Sequence, residues 1–186
     1  MSVQTRSQLQ ASSATITNET AAGANTAARV GGLFDDLSDT ATLNRERGYA
    51  SLTVSSNTAF TPTSNTAVKL TIAMDENILS TYNFSVNKST SIITYTGIAG
   101  VALKVSANMT FSASNNRDFE WYIAKNGSTI ASSKASLTMT QSHGHAVYVE
   151  AYVSPAVNDV FSLYVKSIDS SEAITIQSLN LTAVTL

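Results

Sequence analysis

Apolar and polar positions along this chain follow two different patterns, and the change falls near residue 48. From Tyr49 onward the two kinds alternate. The clearest run puts Val101, Leu103, Val105, Ala107, Met109, Phe111 and Ala113 at every second place, with Ala102, Lys104, Ser106, Asn108, Thr110 and Ser112 between them. Successive side chains of an extended strand point to opposite faces, so this run lays one face on a core and turns the other outward. Each large apolar side chain buried there contributes roughly 1.5 to 3 kcal/mol, more than any local propensity.

The same alternation predicts strands through Ala50, Leu52 and Val54, through Val68, Leu70 and Ile72, through Tyr82, Phe84 and Val86, and from Ser91 to Thr96. Further on it predicts strands through Phe119, Trp121 and Ile123, through Leu137 and Met139, through Val147 to Val153 and through Phe161 to Val165. The last strand carries Ile174 and Ile176, then Leu179 and Leu181, and the change of phase at Gln177-Ser178 predicts a β-bulge. Asn126-Gly127 lies between two such runs, and both residues tolerate positive φ, which predicts a tight hairpin. About eight to ten short strands at this spacing predict an antiparallel two-sheet sandwich over residues 49–186.

Residues 1–48 read as a separate arm. Val30, Leu33, Phe34, Leu37 and Ala41 recur at helical offsets, which predicts one amphipathic helix of three to four turns, weakened by Gly31 and Gly32 by roughly 1 kcal/mol each. A looser seven-residue spacing runs through Leu9, Ile16, Gly23, Val30 and Leu37, but its second seam is mostly polar. Two alternatives stand: a partly ordered arm with one helix, or a stem in which helices from several copies pack together.

One surface breaks the rule that outward faces are polar. Val147–Val153 and Phe161–Val165 read as adjacent core strands joined by Ser154 to Asp159, and their opposite face carries Tyr148, Tyr152 and Tyr164, interrupted only by Glu150 and Lys166. A contiguous aromatic patch of that size is expected to mark an association surface, the alternative being that tyrosine tolerates half exposure and favours strands.

Composition narrows the function classes. Among 186 residues, charged side chains are 13%, about half the usual share, while Ser and Thr exceed a quarter, as in many β-rich fibre and capsid proteins. A net charge of −2 leaves no basic footprint for nucleic acid, and no apolar stretch approaches the roughly 20 residues needed for membrane insertion. Without cysteine there is no disulfide, thiolate zinc site or cysteine nucleophile. Met1 to Arg6 lacks the apolar run of a secretory signal, so synthesis in a cytoplasm is expected.

Little chemistry remains. His143 and His145 are spaced as a metal pair would be, but with no third ligand nearby a solvated turn is the stronger reading and no metal or cofactor is expected. Asp118 and Glu120 share one strand face, as the carboxylates of a polysaccharide depolymerase do. An ordinary surface pair at a loop edge is the simpler account, and the expectation is no enzyme.

Two resemblances add to this. The segment Val157 to Lys166, with Asn158 where the family commonly has glycine, resembles the penultimate strand of tumour-necrosis-factor-like and complement-type jelly rolls. Together with Val101–Ala113, the Trp121–Gly127 hairpin and Asn180-Leu181-Thr182 it spans residues 49–186. The resemblance implies a jelly roll that trimerises, with Tyr148, Tyr152 and Tyr164 around the three-fold axis. The arm segment Thr17 to Phe34 resembles the N-terminal part of fibre and appendage proteins of tailed bacteriophages. The two together imply a mostly β protein with a partly helical N-terminal arm, forming a homotrimeric fibre or decoration on the virion surface, a head fibre before a tail fibre. Val30, Leu33, Phe34 and Leu37 would join the trimer contact, the arm would bind capsid or other virion proteins, and the alternative is an adhesin whose loops Ser114–Arg117 and Gln141–His145 bind host surface glycan.

Overall fold

The computed structural model describes residues 48–54, 56–76, 83–97, 99–141 and 143–186. The arm helix, with Val30, Leu33, Phe34 and Leu37, and the start of the strand through Tyr82 lie outside the described residues. In chain order the strands are β1 (Tyr49–Val54), β2 (Thr58–Phe60), β3 (Val68–Lys69), β4 (Asp75–Glu76), β5 (Phe84–Asn87), β6 (Ile92–Tyr95), β7 (Leu103–Ala113), β8 (Arg117–Lys125), β9 (Ser128–Thr129), β10 (Ala135–Met139), β11 (His145–Val153), β12 (Val160–Ser167) and β13 (Ile174–Thr185). A single-turn 3-10 helix, Ala131–Ser133, separates β9 from β10.

These strands form two sheets. The first runs β11-β7-β13-β1-β4 with β2 on β13, and the second runs β10-β8-β12-β6-β5 with β3 on β12 and β9 on β8. Each paired ladder is antiparallel. From β6 on, the long strands change sheet at nearly every connection, which is the jelly-roll winding: β7 in the first sheet, β8 to β10 in the second, then β11, β12 and β13 by turns. The alternating run foreseen from Val101 becomes β7, the strand between β11 and β13, and Leu103, Val105, Ala107, Met109, Phe111 and Ala113 are all buried.

Facing residues of the two sheets fill the space between them. Phe111 of β7 meets Trp121 of β8 edge-on at 4.7 Å and Phe119 at 6.0 Å, an arrangement that suits the opposed partial charges of ring edge and ring face. The Asn126-Gly127 turn closes as expected, with φ of 52° and 83°. Asn126 also joins two loops: its Nδ2 donates to Asp159 Oδ1 at 2.7 Å, and its Oδ1 accepts from Val160 N–H at 2.8 Å. The bulge foreseen at Gln177-Ser178 is present as a register shift between Ile176 and Ser178 opposite Phe111 and Thr110.

Two expectations need correction. The strand through Val68, Leu70 and Ile72 shortens to Val68–Lys69. Leu70, Ile72 and Met74 still alternate inward, but Ile72 pairs its N–H and C=O with the Ser91 hydroxyl, at 3.1 and 2.6 Å, in place of a neighbouring backbone. Thr71 and Ala73 between these residues are exposed, and single backbone bonds, Leu70 N–H to Leu163 O at 2.9 Å and Met74 N–H to Lys88 O at 3.0 Å, take the place of a ladder. Nor are the strands bearing Val147–Val153 and Phe161–Val165 adjacent: β11 belongs to the first sheet and β12 to the second. The connection Ser154–Asp159 crosses the sandwich instead of turning back within one sheet.

Candidate assembly face

The outward side of the first sheet sets Lys104, Glu150 and Asp75 among small polar side chains. Register across β11, β7, β13 and β1 sets its side chains in rows: Tyr148, Asn108, Asn180 and Thr53, then Glu150, Ser106, Thr182 and Ser51, then Tyr152, Lys104, Val184 and Tyr49. Small hydroxyls and amides hold one another across the strands. Ser51 Oγ donates to Asn180 Oδ1 at 2.7 Å, the Ser106 and Thr182 hydroxyls meet at 2.8 Å, and those of Thr110 and Ser178 at 2.7 Å. These hydroxyl and amide groups are hydrogen-bonded within the sheet, and Ser51 among them is buried.

Tyr148 and Tyr152 stand above that surface on β11, the edge strand, 50% and 63% exposed. Between them reaches Lys104 from β7, its ammonium 5.9 Å from one ring centre and 5.8 Å from the other. The same ammonium pairs with Glu150 Oε2 at 2.8 Å, and Tyr148 OH donates to that oxygen at 2.6 Å. Hydrogen bonds from Lys104 and Tyr148 hold the Glu150 carboxyl below its ordinary pKa, while those to Glu150 and Tyr148 push Lys104 up. Cation, carboxylate and two aromatic rings thus contact one another within the single chain. At the end of the sheet where the chain enters β1, the face turns apolar: Tyr49, Val184 and Ala102 lie there with Leu186, 61% exposed, whose N–H donates to Ala102 O at 2.9 Å.

Tyr164 is not part of this face. It lies on β12, opposite Tyr122 and Lys69, on the outward side of the other sheet, and Lys166 goes with it. Tyr148, Tyr152 and Glu150 share one outward face, as the alternation along β11 implies, and Lys104 of the neighbouring strand lies beside them. Lys104 occupies an outward place in the β7 alternation, yet only the β7–β11 register sets it opposite Tyr152.

On the second sheet, Asp118 and Glu120 do share a strand face, but their surroundings differ. Glu120 is buried, with Lys134 Nζ on Oε1, and Lys166 Nζ at 3.1 Å and Tyr122 OH at 2.7 Å on Oε2. Hydrogen bonds from Lys134 first and Tyr122 next pull its pKa from 4.5 to about 2. A carboxyl held ionised in this way does not deliver a proton to a leaving group near neutral pH. The two histidines engage their own loop: His145 Nε2 accepts from Thr140 N–H at 3.2 Å, and His143 Nδ1 lies 2.8 Å from Gln141 O. Among the described residues no three His, Cys, Asp or Glu side chains converge as a metal site would require.

No protein-family model and no curated protein matches this chain. Solved structures do. The structure of Eiger TNF from S. frugiperda superimposes with a TM-score of 0.54 at 11% identity, over 76% of this chain and 94% of that one. Murine APRIL at pH 5.0 gives 0.50 at 9% identity, over 74% and 99%. The likeness at so low an identity is one of fold, and it makes the described domain a tumour-necrosis-factor-like jelly roll.

Proposed function

We propose that this is a non-enzymatic structural protein of a bacteriophage particle, a homotrimeric fibre or decoration whose jelly roll projects while residues 1–48 attach to capsid or other virion proteins, with the head favoured over the tail. The observation that carries the assembly is the Tyr148–Lys104–Tyr152 cluster, formed across the edge strand β11 and its neighbour β7 on the outward face of the first sheet. Three copies packed through that face would cover both rings and the apolar end at Tyr49, Val184 and Leu186. The number three follows from the jelly-roll resemblance, and the particle from the resemblance of Thr17–Phe34 to phage appendage proteins.

Light scattering of the full chain at micromolar concentration is expected to give the mass of three copies, and Tyr152→Glu to give one. A wild-type monomer overturns the reading. Deleting residues 1–47 is expected to leave the assembled head intact and abolish its incorporation into particles.

An adhesin for host surface glycan is the second reading, and one contact favours it. The two loops it would use meet at one end of the sandwich, where Gln141 N–H donates to Asn116 Oδ1 at 2.6 Å.

A further inference from the structure

Outside the assembly face, a cleft of about 300 Å³ opens on the second sheet, lined by Asp118, Glu120, Ser136, Leu137, Thr138 and Ile168. Two cross-strand pairs on the outward side supply its polar groups: Ser136 stands opposite Glu120, and Thr138 opposite Asp118. Ile168, tied by its N–H to Asp118 O at 2.9 Å, adds an apolar wall. The volume lies at the lower limit for a small-molecule site and suits one ring.

Charge decides what kind of ring. Glu120 is matched by Lys134, Lys166 and Tyr122, so its charge is already balanced. The Asp118 carboxylate makes no side-chain hydrogen bond or ion pair among the described residues, and the Ser136 and Thr138 hydroxyls are exposed beside it. One unmatched carboxylate disfavours an anion. A divalent cation would find a single free carboxylate beside two ammonium groups, which is too little charge and too few oxygens. A neutral polyol fits: a carboxylate accepts from two neighbouring hydroxyls at once, the Ser and Thr hydroxyls donate or accept as needed, and the ring's C–H face lies against Ile168.

We propose that this cleft binds one neutral hexose unit of a glycan, with Asp118 accepting from a vicinal pair of its hydroxyls. The proposal rests on the adhesin reading and moves its binding residues from the end loops to the β8–β10 surface. The test uses the full chain on an array of immobilised neutral and acidic glycans, followed by calorimetric titration of the tightest neutral binder. Asp118→Asn is expected to weaken that binding roughly tenfold, as loss of a charge-assisted hydrogen bond does. Ser136→Trp, which fills the cleft from an exposed edge-strand position, is expected to abolish it with the melting temperature unchanged. Asn116→Ala and Gln141→Ala are expected to bind as wild type. Should affinity fall with the loop variants and not with Asp118→Asn and Ser136→Trp, the cleft is wrong and the adhesin reading stands. Preference for acidic glycans overturns the assignment of a neutral ring, and a blank array removes both the cleft and the adhesin.

Discussion

Glu120 is the residue at which burial and charge are most closely balanced. It is largely out of water, and it stays ionised because two lysines and a phenol meet its two oxygens. A pKa lowered from 4.5 to about 2 means that the folded state gains stability above the unfolded value and loses it as pH falls from about 4.5 toward 2. Glu120→Gln is therefore expected to lower stability at neutral pH by about 1 to 3 kcal/mol, read from the urea midpoint, because Lys134 and Lys166 lose their counter-charge. The gap to wild type should close by pH 2. A gap that does not change with pH would place the loss in packing instead. From the sequence this carboxylate looked like a loop-edge surface residue beside Asp118. Its partners come from β12 and from the segment after the 3-10 turn, and no local pattern tells which lysines will reach it.

Whole strands were far more legible than their partners. The β7 alternation, the Asn126-Gly127 turn and the Gln177 bulge each depend on a few consecutive residues, so the sequence displays them directly. Gln177 is the extra residue in β13: without it, Ile176, Ser178, Leu179 and Asn180 would continue a plain in-and-out alternation. Deleting Gln177 is expected to leave the sheet intact and shift the melting temperature by no more than a few degrees. Inserting one serine between Asn180 and Leu181 should unfold the domain, because Leu181 and Ala183 would turn from core to solvent. Circular dichroism melts of the two variants decide between them. In the hairpin, Asn126→Ala keeps the strands but removes the donor to Asp159 Oδ1 and the acceptor of the Val160 N–H, while Ala156 N–H and Lys125 still hold Asp159 Oδ2, and a loss of about 1 to 2 kcal/mol is expected by denaturant titration. The strand expected through Leu70 and Ile72 failed for a reason invisible locally: Leu70 N–H still reaches Leu163 O, but Ile72 bonds the Ser91 side chain and Met74 N–H goes to Lys88 O.

At the scale of the whole molecule, the crossing of Ser154–Asp159 between sheets has the largest functional consequence. It takes Tyr164 away from Tyr148 and Tyr152, so the proposed assembly face is narrower than three tyrosines would make and centres on Lys104. Lys104→Ala is expected to weaken assembly without monomerising the protein outright, since the rings remain but lose the cation between them. Sedimentation across a dilution series should show the proposed trimer of the variant dissociating at roughly tenfold higher concentration than wild type. Equal dissociation would mean that the cluster contributes nothing to the contact.

The sequence by itself determined which residues go inside. Alternation is a property of neighbours along the chain, and burial of one face of each strand follows from it without knowledge of what lies opposite. Only the tertiary structure decided which strand lies beside which, and so whether two outward side chains share a surface. Pairing is chosen by the closure of the whole core around Phe111, Phe119 and Trp121, a collective outcome to which every strand contributes and which no single segment records.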